Sequence, residues 1–75
     1  MTIGDRIKAL RKRRRLTQHE LAERAGLTQA HISQLEAGAR ENPQANVVLA
    51  LARALDCSCD YLLGMYEVSE RAHAS

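Results

Sequence analysis

Seventy-five residues make one small domain with room for a modest core and no more. Two Tyr with no Phe and no Trp leave the core aliphatic and argue against recognition of single strands or RNA, which rests on aromatic platforms. The net charge is only +2, but residues 1–40 hold nine Lys/Arg against four acids, net +5, and residues 41–75 hold two against five, net −3, so one half could face a polyanion while the other does something else.

Thr2 can cap a first helix, with Asp5 favourably placed near the positive helix end. Ile3, Ile7 and Leu10 recur at i, i+4 and i+7 and mark its inward face. Arg11 to Arg15 then forms a basic run. It is either a solvated helix end whose cations complement the dipole or a phosphate-contacting patch, with Lys12 and Arg14 as candidates. Composition alone would also admit a nuclear-localisation signal. Arg11 follows Leu10 directly, so its stem lies beside the apolar face. Leu16 plugs the junction before the next helix.

Thr17 to Gly38 is the stretch around which the chain is organised. Thr17 precedes Glu20 by three residues, the capping-box spacing, and Leu21, Ala22 and Ala25 give a helix over Gln18–Ala25 its apolar stripe. Gly26 can adopt the left-handed backbone that ends a helix. Thr28 offers a second cap, and Ile32 and Leu35 face inward from a predicted helix over Gln29–Ala37, closed by Gly38. Two short helices joined by a Gly-containing turn form a helix-turn-helix, whose second helix can enter a DNA major groove. Its outward face is Gln29, Ala30, Ser33 and Gln34. Glutamine can bond adenine N6 and N7 with two atoms, and shorter polar side chains can read either strand or phosphate. His31 lies to one side and could touch phosphate or nothing. Gln18 sits in the first turn of the preceding helix, where N–H groups and the positive dipole end meet phosphate; the alternative is an exposed polar residue with no task.

Thr17-Gln18-x-Glu20-Leu21-Ala22, Gly26, then Ile32-Ser33-x-Leu35-Glu36-x-Gly38 resembles the lambda-repressor-like family of phage Cro and repressor proteins. The resemblance runs from about Ile3 to Gly64. It implies a structural ion pair between Arg11 and Glu36, fixing the first helix against the third. It also implies a backbone contact to DNA from Gln18, and base contacts from the first turn of the third helix and from Gln34. Ala30 is shorter than the residue often found there, so readout at that point shrinks to an apolar contact with a thymine methyl. Family members often grip phosphate with basic residues in the following loop. Here only Arg40 is available, beside Glu41, which leaves more of that task to the N-terminal half.

Ala39 to Gln44 is predicted as a loop, since Pro43 disfavours helix before it. A fourth helix is predicted over Asn46–Leu55, with Val48, Leu51, Ala52 and Leu55 inward and Asp56 at its end. Ala45 stands where the resemblance implies a larger apolar residue, so packing there is expected to be thin. Ser58 caps a short fifth helix over Cys59–Leu63, ended by Gly64, with Leu62 and Leu63 completing the core. Cys57 and Cys59 fit as small core hydrophobes, with a redox switch as the alternative. C-x-C with scattered His19, His31 and His73 lacks zinc spacing, so neither metal nor cofactor is expected. Met65 to Ser75 is polar and expected to fray. Its first part is unusually apolar, and Met65, Tyr66 and Val68 are either a dimer contact, as the resemblance implies, or simple packing back on the domain. With no secretory h-region and no apolar run near the ~20 residues that span a bilayer, the expected setting is cytoplasmic and reducing.

The reading is an all-α, compact five-helix bundle. It comprises a DNA-binding domain over residues 1–64 and a short tail over 65–75, with no effector domain attached and no small-molecule effector evident. The expected partner is double-stranded DNA, bound as a homodimer on a palindromic operator. The rival is a protein-interaction module, such as the antitoxin or accessory subunit of a two-protein system, using the acidic half and Met65–Val68. No nucleophile elbow, phosphate loop or metal constellation suggests an enzyme.

Overall fold

Hydroxyl side chains set where most of the helices begin. The computed structural model describes residues 1–40 and 42–65. Among them are five helices and no strand: α1 Ile3–Arg13, α2 Gln18–Ala25, α3 Gln29–Glu36, α4 Ala45–Leu55 and α5 Cys59–Leu63. Thr2 and Thr17 each close a full capping box. Thr2 Oγ1 accepts from the Asp5 N–H at 3.1 Å while Asp5 accepts from the Thr2 N–H at 3.0 Å. Thr17 and Glu20 repeat the arrangement at 3.0 and 2.8 Å. Thr28 and Ser58 cap α3 and α5 through the His31 and Tyr61 N–H groups. Gln44, ahead of α4, makes no such side-chain bond, and α4 starts one residue before its predicted first residue. Gly26 sits at φ 73°, a left-handed turn that a β-carbon would strain, and this lets α3 leave α2 after only two further residues.

The apolar positions meet in one core. Ile7, Leu21, Ile32, Leu35, Leu51, Leu55 and Leu62 are fully buried, with Ile3, Leu10, Leu16, Ala22, Val48 and Ala52 around them. Cys57 and Cys59 are half-buried against its edge. Leu63 departs from expectation: it is 51% exposed. A helix of five residues presents only one narrow face to the bundle, Leu62 fills it, and the next residue turns roughly 100° away. Ala45 is also exposed and helps line a shallow hollow of about 280 Å³ with Pro43, Val48, Cys59 and Leu63, in keeping with thin packing at this end.

Helix α3 is held from two sides. It packs against α2 and against α1, while α4 backs α2 and α5 closes the bundle against α4 and α1. Gly4 makes the α1 approach possible, because its backbone lies against the Leu35 carbonyl with no room for a side chain.

Candidate nucleic-acid interface

Ile32 and Leu35 are wholly buried while Gln29, Ala30, Ser33 and Gln34 are exposed. The helical period thus separates the residues that anchor α3 from those that face outward. His31 is half-buried at the side of this face. With Arg40, Asn42 and Gln44 it lines an open hollow of about 510 Å³ next to the N-terminus of α4.

The far end of α3 is pinned by a polar network. Arg11 donates from Nε to Glu36 Oε2 at 2.7 Å and from Nη2 to Glu36 Oε1 at 3.0 Å, a two-pronged pair. Its Nη1 donates to the Leu16 carbonyl at 2.8 Å. The side chains are 11% and 3% exposed, so both charges are largely out of water and each satisfies the other. The Glu36 hydrogen bond drives the Arg11 pKa further up, against the opposing effect of burial. Gln18 joins the same carboxylate, donating from Nε2 to Glu36 Oε1 at 3.1 Å. One carboxylate at the end of α3 therefore ties down the last turn of α1 and the first turn of α2.

The remaining sequence-derived candidates divide. Lys12 is exposed on α1 beside Arg11. Arg14 is exposed and bonded within the domain: Nε donates to the Leu55 carbonyl at 2.9 Å and Nη2 to the Asp56 carbonyl at 3.2 Å. The carbonyls at the C-terminus of a helix lack partners within it and attract a cation, and nothing local in the sequence signals a partner 41 residues away. Gln18 proves bound to Glu36 as well as placed at the start of α2. Arg40 reaches back along the chain, donating from Nε to Gln34 Oε1 at 2.7 Å. Met65 is described and 70% exposed; Tyr66 and Val68 lie outside the described residues. Gly4 escaped notice in the sequence, although a glycine inside a helical pattern is the available signal of a close backbone approach.

Known proteins share this fold. A family model described as HTH_3, helix-turn-helix, matches residues 7–62. The immunity repressor protein of Bacillus phage phi105 is 42% identical over 64 residues, spanning 85% of this chain and 44% of that protein. The c2 repressor of Salmonella phage P22, solved in complex with the synthetic operator 9T, superposes with a TM-score of 0.80 at 41% identity over 85% of this chain and 96% of that one. SinR, solved in complex with the SinI protein, gives a TM-score of 0.81 at 28% identity over 97% of this chain and 75% of that one. The chain spans less than half the length of the curated phage repressors it matches.

Proposed function

The chain belongs to the HTH_3 helix-turn-helix family, a family of DNA-binding regulators and not of enzymes, and from that premise we propose that it regulates transcription by binding double-stranded DNA in a sequence-specific manner. In this reading residues 1–64 form the DNA-binding domain and 65–75 a tail. The observation that carries it is the exposed face of α3, with Gln29, Ala30, Ser33 and Gln34 presented outward from a helix locked by Ile32, Leu35 and the Arg11–Glu36 pair. Set in a major groove, Gln29 and Gln34 would reach base edges and Ala30 a thymine methyl. Lys12, the second amide hydrogen of Gln18 and the α2 N-terminus would meet phosphate. The hollow beside His31 and Arg40 opens on the uncapped start of α4, a further seat for phosphate. The repressor of phage P22 binds an operator with the same fold.

A homodimer on a palindromic operator completes the reading, since one such module buries little DNA surface. It is supported by exposed Leu63, which lines the apolar hollow with Pro43, Ala45, Val48 and Cys59, and by exposed Met65. The regulator would act in the cytoplasm. A second reading, a module that docks a partner protein, draws on the SinR–SinI complex and the same apolar surface. Selection of bound sequences from a random duplex pool separates the two. A two-fold symmetric consensus with half-sites about one helical turn apart is the expected result, and a pool that stays random after repeated rounds would overturn the DNA-reading function.

A further inference from the structure

We propose that Arg40 decides which base Gln34 reads, by fixing which end of the Gln34 amide faces the DNA; this rests on α3 being the recognition helix. Arg40 Nε donates to Gln34 Oε1 at 2.7 Å. A guanidinium can only donate, so the bond assigns the two ends of an amide that is otherwise nearly symmetric in shape. The carbonyl is turned to the segment after α3, and the NH₂ is turned away from it.

That polarity has a consequence for readout. An unconstrained glutamine serves adenine well, because its carbonyl accepts from N6 while its NH₂ donates to N7. Here the carbonyl already accepts a charge-assisted bond, roughly twice as strong as a neutral one, and is the poorer partner for the adenine N6 donor. The NH₂ carries two hydrogens, which suit an edge made only of acceptors. Guanine presents such an edge, with N7 and O6 side by side. Gln34 held by Arg40 is therefore set for guanine, and Gln34 released from Arg40 recovers its ability to take adenine. Both side chains are exposed and lie outside the core, so the coupling can be cut without disturbing the fold. Arg40 acts here as a positioning residue, through Gln34, whatever its charge contributes to phosphate.

The test uses the full chain as wild type, Arg40→Leu, Gln34→Ala and the double variant, each titrated against the selected operator with all four base pairs at every position. The Gln34 position is the one whose preference Gln34→Ala erases. There the wild type should favour guanine over adenine on the order of tenfold. Arg40→Leu should bring that ratio to near one or reverse it, with ratios elsewhere unchanged, and should alter no ratio in the Gln34→Ala background. Loss of a phosphate contact weakens all sequences alike and leaves every ratio in place, so a purely electrostatic Arg40 is told apart. A wild type that prefers adenine, or a ratio that Arg40→Leu does not move, overturns the coupling while leaving α3 as the reader. If Gln34→Ala erases no preference at any position, Gln34 reads no base and the coupling falls; the recognition-helix reading falls with it only if Gln29→Ala erases none either.

Discussion

Gly4 in the first turn of α1 lies against the Leu35 carbonyl near the end of α3: a β-carbon on Gly4 would collide with that oxygen and stand 2.9 Å from its carbonyl carbon and 3.2 Å from the Glu36 Cα. These are backbone atoms, so they cannot swing aside as a side-chain tip can. Gly4→Ala would gain up to about 1 kcal/mol in helix propensity. Forcing two helices apart costs about 1–3 kcal/mol or more, and the clash should win. Urea unfolding should show a net loss of stability, and operator affinity should fall because the displaced element is α3. An alanine variant as stable as the wild type would show that the two helices are free to separate.

Arg11 and Glu36 bear on the same crossing from its other end. Removing one partner strands a charge whose neighbour is almost entirely buried, at a cost of about 3–5 kcal/mol. That is a large share of the stability of a small domain. Arg11→Met with Glu36→Leu should recover much of the loss, since an apolar pair of similar volume needs no desolvation of charge. Double-mutant analysis of denaturation curves checks this. Two small and additive single losses would mean that solvent screens the pair.

Acid should act first on the caps. The Thr2 N–H holds the Asp5 carboxyl below its usual pKa, and the Thr17 N–H does the same for Glu20. A depressed folded-state pKa gives stability that is complete above the unfolded value, about 4 for these carboxyls, and is lost as pH falls through the folded value. Thermal melts should therefore be flat in this respect near neutrality and decline below about pH 4. In Asp5→Asn with Glu20→Gln that part of the decline should shrink, and an unchanged acid limb would assign the effect to other groups.

Arg14 and Lys12 are both cations of one basic run, yet they should report differently. Arg14 satisfies carbonyls at the end of α4, so Arg14→Ala should cost roughly 1 kcal/mol of stability and leave the salt dependence of DNA binding nearly unchanged. Measured unfolding curves and binding at several salt concentrations would expose the reverse pattern, which would return Arg14 to the phosphate-contacting group.

Local chemistry made most of the fold legible. Thr2, Thr17, Thr28 and Ser58 each announce a helix start, Gly26 and Gly64 each an end, and the spacing of Ile32 and Leu35 distinguishes the buried from the exposed face of α3. What escaped were relations between residues that share no period. Arg14 meets α4 across 41 residues, Gln18 meets Glu36 across a helix, and Arg40 bends back on Gln34. Long polar side chains find such partners only once the backbone is folded. Leu63 was misplaced because five residues are too few for periodicity to fix a face.

Gln29 and Lys12 test the division of labour at the interface. Gln29 is exposed at the start of α3, whereas Ile32 and Leu35 are buried. A side chain that reaches a base edge carries about 1–3 kcal/mol of discrimination at its own base pair. Lys12 is exposed on α1 and in the proposed reading meets phosphate, which holds no sequence information. Gln29→Ala should thus relax preference at one position in each half-site and barely change the salt slope. Lys12→Ala should weaken every sequence alike and lower the slope by about one. Titrations against matched and singly substituted duplexes, repeated across salt concentrations, separate the two behaviours. Uniform loss of affinity from Gln29→Ala would remove the first turn of α3 from the set of base readers, because a residue that senses sequence cannot weaken all sequences equally.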